Sequence, residues 1–398
     1  MSLKSLILRQ ALDLREMAVN FRREFHMYPE LAYQEKRTSN FVSKKLEEWG
    51  FEVHTGIAET GVLGVLRCSN NGRVVALRAD MDALPIQEEN DVPYKSKIPG
   101  VMHACGHDAH TAMLLTAAKI LANHRDKLLG TVKLIFQPAE EGGNGAKRMI
   151  DEGVLRDPDV EAIFGLHVWN SLDAGKVGLK EGPLLASTGR FEIEVEGSGG
   201  HGASPHLTID PIVISASIIL NLQTIISRSL DPLESGVVSV CSVHSGTAFN
   251  VIPNKASLIG TYRALTFNVR DLIKKRIEEI SKNVSSAFNA KCNVKLIDGV
   301  PPTVNEPRAT RMARKVAEYV VGSNNVIEVK PTMGGEDFSF YLENVPGAFL
   351  ELGTRNEKKG ITAPHHNSRF DIDESALPYG VALYALLAYN FLMEGFKD

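Results

Sequence analysis

The chain is poor in the features that mark secreted, membrane-bound or nucleic-acid-binding proteins. It has 4 cysteines among 398 residues. Cys68, Cys105, Cys241 and Cys292 are widely spaced and form no paired framework of the kind that staples extracellular domains, so a reducing, cytoplasmic setting is expected. No basic excess exists either. The 44 Lys and Arg against 48 Asp and Glu leave a net charge of −4, no field to hold a phosphate backbone, and nucleic acid is not expected as a partner. No apolar run is expected to reach the roughly 20 residues of a membrane span, because the most apolar window, 211–227, is interrupted by Ser215, Ser217, Asn221 and Gln223. The first 23 residues lack the apolar stretch and small-residue cleavage site of a secretory leader. Repeats and low-complexity tracts are absent. With 43% hydrophobic and 23% charged residues, wholesale disorder, collagen and coiled coil are ruled out, and the length predicts two or three domains at about 150 residues each.

What is present divides into two styles. Apolar spacing predicts helices over 5–26 and 38–49, strands over 64–67 and 74–79, a helix over 108–123 and a strand over 131–137. That alternation predicts an α/β layer with a parallel or mixed sheet. From Gly189 the pattern changes: Phe191, Ile193 and Val195 alternate with Glu192, Glu194 and Glu196, as in a strand with one wet face. A helix over 211–228, strands over 237–243 and 256–264, a helix over 269–289 and a strand over 293–298 complete an α+β insert. The α/β style resumes after Pro301-Pro302 and ends in an apolar helix over 376–392. The expected division is therefore 1–187 with 300–398, and an insert at 188–299.

Reactive side chains concentrate at the predicted strand ends. His103-Ala104-Cys105-Gly106-His107-Asp108-Ala109-His110 places a thiol and an imidazole two residues apart, donors suited to Zn, Mn, Co or Ni, with Gly106 free to turn so that both converge. The competing reading is a polar capping loop in which Asp108 caps the helix and the histidines are solvated. The strand 131–137 runs into Pro138-Ala139-Glu140-Glu141-Gly142-Gly143. Two adjacent carboxylates repel unless a cation is near; one can then ligate while the other acts as general base. His167 ends the apolar run 162–166, His366 stands beside His365, and Asp80-Met81-Asp82 follows the strand 74–79. Such ends are where α/β sites collect.

Four strings, Arg78-Ala79-Asp80-Met81-Asp82-Ala83-Leu84-Pro85, Met102-His103-Ala104-Cys105-Gly106-His107-Asp108, Phe136-Gln137-Pro138-Ala139-Glu140-Glu141-Gly142 and Gly165-Leu166-His167, are in one order along the chain. In them the sequence resembles the amidohydrolase branch of the aminoacylase/carboxypeptidase metallopeptidases, which includes hippurate hydrolases, N-acyl-amino-acid amidohydrolases, N-acetyldiaminopimelate deacetylases and indole-acetyl-amino-acid hydrolases. The resemblance runs from His26-x-x-Pro29-Glu30-Leu31 to His366-Asn367. It implies an α/β catalytic domain with an inserted α+β lid and dimerisation domain. It also implies two divalent metal ions (Mn, Zn, Co or Ni) held by Cys105, His107, Glu141, His167 and His366, with Glu140 as general base. In the wider superfamily the Asp80 position is a ligating histidine, so Asp82 is assigned the orienting role and Asp80 a supporting one. The insert strings Gly200-His201-Gly202-Ala203, Phe249-Asn250-Val251-Ile252-Pro253-Asn254 and Gly260-Thr261-Tyr262-Arg263 resemble the lid. They imply His201 as an oxyanion donor, Asn250 as a substrate contact and Arg263 as a grip on a carboxylate. Gly334-Gly335-Glu336-Asp337-Phe338 resembles a pocket-bordering loop in which Glu336 is favoured over Asp337. The implied activity is hydrolysis of an N-acyl amino acid by a homodimer or homotetramer, with short-peptide carboxypeptidase activity as the alternative and a non-catalytic binding protein on the same fold as the reading from a different class.

Overall fold

The computed structural model describes residues 2–69 and 72–396. It divides into two compact units, one comprising Met1–Gly182, Val304–Lys330 and Asp337–Asp398, the other Pro183–Thr303 with Pro331–Glu336.

The larger unit is built on an eight-stranded mixed sheet in the order Glu52–Ile57, Gly61–Arg67, Thr131–Gln137, Val74–Asp80, Ala162–Asp173, Gly347–Arg355, Val177–Leu179, Val326–Glu328. Its central four strands are mutually parallel, and every residue of Val74–Asp80 and Thr131–Gln137 is buried. Covering both faces of a parallel sheet is what allows such unbroken burial. The helix His107–Asn123 is buried along most of its length, as is Leu377–Glu394. The first helix differs from expectation: it is two helices, Leu3–Asp13 and Arg15–Met27, separated at Leu14. The strand Glu52–Ile57 escapes sequence reading because it is a sheet-edge strand with no buried residue, and so carries no apolar alternation.

The smaller unit is a four-stranded antiparallel sheet, ordered Gly236–Ser245, Lys255–Ala264, Ser187–Glu196, Lys291–Asp298. Phe191, Ile193 and Val195 meet Ile214, Ile218 and Leu222 of the helix Pro211–Thr224, and Ile273 and Ile277 of the helix Phe267–Ala287, in one core. Asp210 accepts the Ile212 N–H at 2.8 Å with Pro211 in the first turn, a strong start signal.

Contrary to expectation, Pro211–Ser229 is long and apolar enough by length and composition to cross a membrane, as is Glu374–Glu394. The polar residues do not interrupt it, because Asn221 and Gln223 donate to carbonyls of their own helix, those of Ser217 and Ile219. Glu374–Glu394 is 83% buried and serves as a core helix, whereas Pro211–Ser229 is 28% buried and leaves Ile212, Val213 and Leu220 open.

Candidate metal centre

Apart from Glu336, the site residues assigned to the α/β part lie around the C-terminal ends of the parallel strands of the larger unit. Gly106 opens the helix His107–Asn123 at φ +90, and a Cβ there would lie 2.3 Å from Val168 Cγ2, so only glycine permits this turn. It brings Cys105 and His107 into the interior. His107 Nδ1 is 2.9 Å from the Asp82 carbonyl oxygen and 3.2 Å from Asp82 Oδ1. The ring therefore carries its proton on Nδ1 and turns an Nε2 lone pair inward, and that buried Nε2 has no hydrogen-bond partner. The same Asp82 carboxylate accepts the N–H groups of Glu140 and Glu141, each at 3.0 Å. One aspartate thus fixes the tautomer of His107 and holds the turn that carries both glutamates.

Val168 organises the other side. Its carbonyl accepts from His167 Nδ1 at 2.6 Å and from His365 Nε2 at 2.9 Å, while its N–H donates to His110 Nε2 at 2.9 Å. His167 is left with Nε2 directed at Cys105 Sγ, 3.4 Å away. His366 stands at φ +63, a rare conformation for a non-glycine residue and one that concentrates at functional sites. Its N–H is tied to the Ala104 carbonyl at 2.8 Å and its Nε2 lies 3.0 Å from Glu141 Oε1.

Donor atoms therefore converge in overlapping sets: Cys105, His107 and His167; Cys105, Glu141 and His366; and His107, Glu140 and Glu141, each set within 4.8 Å. Thiolate, imidazole and carboxylate are the donors a divalent transition ion takes, and the orphaned His107 Nε2 fits one. The neighbouring group Asp80, His107, His110 fits poorly. Both nitrogens of His110 are used, Nδ1 by Asp80 at 2.6 Å, and the second Asp80 oxygen takes Arg78 at 2.7 Å. Asp80 supports the Val168 hub.

The electrostatics agree. Burial pushes the Cys105 thiol well above its ordinary pKa and His167 well below, and it lowers His365 to about 4. Burial also opposes a proton on His107, yet Asp80 and Cys105 outweigh it and raise that pKa well above 6.5. The ring sits in an excess of negative field, which favours a cation. Burial would raise Glu141, but its pairing with His366 holds it below 4.5.

Several participants escape sequence reading. His110 stands one helical turn from His107, a spacing that could have flagged it; His365 and Val168 carry no signal. Asp337 proves more involved than expected: fully buried, it accepts from Arg78 at 2.9 Å, from Gln137 at 2.8 Å and from the Ala146 N–H at 3.0 Å, and burial lifts it to about 6 against the pull of Arg78. Asp108 does not cap its helix; it pairs with Arg22 at 2.8 Å and His26 at 2.7 Å.

Glu336 is buried in the smaller unit. His201 and Asn250 are brought together there: Gly200–His201 pairs with Val251–Ile252, and the Gly202 N–H donates to the Asn250 carbonyl at 2.8 Å. Arg263 is elsewhere. It occupies the far end of Lys255–Ala264, eight residues or roughly 27 Å along the strand from Lys255. It lines a groove of about 600 Å³ with Thr188, Arg190, Cys241 and Thr261. Among the described residues no acid or hydrogen-bond acceptor pairs with it, and half-burial alone lowers its pKa.

Residues 76–390 match peptidase family M20/M25/M40, and the chain belongs to that family. It is 44% identical over 383 residues to thermostable carboxypeptidase 1 of Saccharolobus solfataricus, covering 95% of this chain and 96% of the relative. It is also 44% identical over 395 residues to IAA-amino acid hydrolase ILR1-like 4 of Arabidopsis thaliana, covering 98% and 89%. Among solved structures, the Bacillus subtilis YXEP protein, described as a dinuclear metal binding peptidase of the M20 family, superposes with a TM-score of 0.85 at 36% identity, covering 96% of this chain and 99% of that one.

Proposed function

We propose that the protein is a metal-dependent amidohydrolase that cleaves N-acyl amino acids into a carboxylic acid and a free amino acid. The observation that carries this reading is the buried His107 Nε2, without a hydrogen bond among the described residues and 3.7 Å from Asp80 Oδ2, set among Cys105, Glu141, His167 and His366 with Glu140 alongside. Two divalent ions held by these five residues, drawn from Mn, Zn, Co or Ni, would polarise the scissile carbonyl and acidify the attacking water. Glu140 takes the proton of that water and delivers it to the leaving amine. Asp82 keeps Glu140 and His107 in register through the contacts described above. Arg263 supplies a planar fork without a protein carboxylate to occupy it, which suits the free carboxylate of the amino-acid half. His201 donates to the developing oxyanion, and Asn250, beside it, contacts the substrate.

Arg263 stands roughly 27 Å along its strand from Lys255, whose neighbour Asn254 bonds Gly197 and Gly199 at the start of the His201 segment, which keeps Arg263 and His201 from touching one small substrate in a single chain. Self-association resolves this, with each protomer presenting its His201–Asn250 segment pair to the site of another. The open apolar face of Pro211–Ser229 supports such a contact. The four cysteines, free of disulfides, support a reducing, cytoplasmic setting.

A second reading, carboxypeptidase action on short peptides, draws on the same unpaired Arg263, since a dipeptide and an N-acyl amino acid share the carboxylate and the scissile amide. The test is elemental mass spectrometry of the purified protein with a panel of N-acetyl amino acids and dipeptides, before and after chelation, for the wild type and Glu140→Gln. Turnover that chelation abolishes and metal restores supports the reading, and the panel selects between the two substrates. Absence of stoichiometric metal together with absence of turnover under every metal would overturn it.

A further inference from the structure

The turn that carries Glu140 is held by a segment to which no role has yet been given. We infer that Glu35 and Tyr33 are positioning residues for Glu140, an inference that rests on Glu140 being the general base. The stretch from Glu30 to Glu35 crosses two strand ends at once. Leu31 forms a bridge with Ala83, and the Ala83 N–H donates to the Glu30 carbonyl at 2.8 Å, joining the segment to the stretch that carries Asp82. Tyr33, at φ +63, donates its hydroxyl to the Gly143 carbonyl at 2.6 Å. Glu35 is wholly buried; one carboxyl oxygen accepts the Ala139 N–H at 3.0 Å and the other the Thr60 hydroxyl at 2.5 Å.

Ala139 and Gly143 bracket the Glu140–Glu141 pair. Ala139 stands at φ +54, a backbone state that a residue with a Cβ keeps only where its surroundings hold it. Glu35 is the side chain that takes its N–H. At the other end a Cβ on Gly143 would lie 2.6 Å from Ala139 Cβ and 3.1 Å from Tyr33 Cε2, so the turn is closed on itself against the tyrosine ring. Asp82 holds the middle of the turn but also orients His107. Among the described residues neither Glu35 nor Tyr33 hydrogen-bonds a ligating side chain, and Glu141 in the same turn keeps its own ties, its N–H to Asp82 and its carboxylate to His366, so the loss of Glu35 or Tyr33 is expected to displace the base more than the donor set.

The experiment compares Glu35→Ala, Glu35→Gln and Tyr33→Phe with the wild type in metal content, in kcat and KM on an N-acetyl amino acid, and in hydrogen exchange of the peptide spanning 138–145. A displacement of about an ångström costs up to roughly 100-fold in rate. Glu35→Ala is therefore expected to lower kcat about 30-fold with KM changed by less than about 2-fold, to keep wild-type metal, and to exchange the Ala139 amide faster. Glu35→Gln keeps an acceptor for that N–H and should recover kcat to within about 3-fold, and Tyr33→Phe should lose about 5-fold. A Glu35→Ala protein with wild-type kcat and exchange overturns the inference, as does one that has lost metal. So does a Glu35→Gln protein with slowed turnover despite wild-type exchange, which would make the carboxylate itself chemical. Should Glu35→Ala fail to fold, Glu35→Gln and Tyr33→Phe still decide. If the wild type turns over nothing, or Glu140→Gln stays active, the base assignment fails by itself, and exchange at Ala139 still shows whether Glu35 holds the turn.

Discussion

The two units hold their candidate residues in opposite ways. In the larger unit Asp80, Asp82, His107, His110, His167 and Asp337 are buried and bonded to one another or to backbone. In the smaller unit His201 and Asn250 are exposed at a two-stranded pairing of distant segments, and half-buried Arg263 forms no ion pair among the described residues. A buried polar group must be satisfied where it stands or be satisfied by what binds. The larger unit is therefore prearranged around the few lone pairs left open, and the smaller presents groups that acquire partners only from outside.

That contrast can be broken in a graded way. The largest effect is expected from Glu140→Gln, which removes the base and keeps the fold: kcat should fall by about 10³- to 10⁴-fold with metal content and substrate affinity near wild type. Retention of a tenth of the activity would place the base elsewhere. Next is His201→Ala, expected to cost about 100-fold. Mixing it with Glu140→Gln chains should restore turnover if His201 serves a neighbouring protomer; a mixture no more active than its parts would confine each site to one chain.

Asp82→Asn should weaken metal binding about 10- to 100-fold, measured by competition with a chromophoric chelator. Asp80→Asn should do less, because its oxygens serve Arg78 and His110. Equal effects would erase the distinction between the two aspartates.

The smallest expected effect is on stability alone. Glu351 is 2% exposed with no partner among the described residues, and burial raises its pKa from 4.5 to about 7. Its folded pKa exceeds the unfolded one, so the folded state retains a proton that the unfolded chain releases. Stability is full below about pH 4.5 and is lost as pH rises through about 7, by roughly 3 kcal/mol. Glu351→Gln should match the wild-type melting temperature at pH 5 and exceed it at pH 8.5. A pH-independent difference would mean that the carboxyl has a partner.

Much of this was legible in advance. The strand Thr131–Gln137 matches its predicted bounds, and the helix His107–Asn123 and the strands of the smaller unit lie within a few residues of theirs, because their apolar residues follow strand or helix spacing. The string from His103 to His110 was a sound pointer to the donors. The edge strand Glu52–Ile57 was not legible, having no buried face. The division of labour between Asp80 and Asp82 could be drawn only from the family resemblance, because the two are two residues apart in one string and differ only in what surrounds them.

The sequence by itself determined the inventory: which thiols, imidazoles and carboxylates stand at strand ends, and the change of period that separates an α/β part from an α+β insert. Tertiary structure decided which of those groups keep a lone pair. His107 and His110 are one helical turn apart, yet Asp82 leaves Nε2 of the first open while Asp80 and Val168 close both nitrogens of the second. Tertiary structure likewise set Arg263 in the four-stranded sheet and His201 in a separate two-stranded one. The reason is physical: a hydrogen bond saturates, and the partners that saturate these rings arrive from 25 to 58 residues away along the chain, where no local pattern can register them.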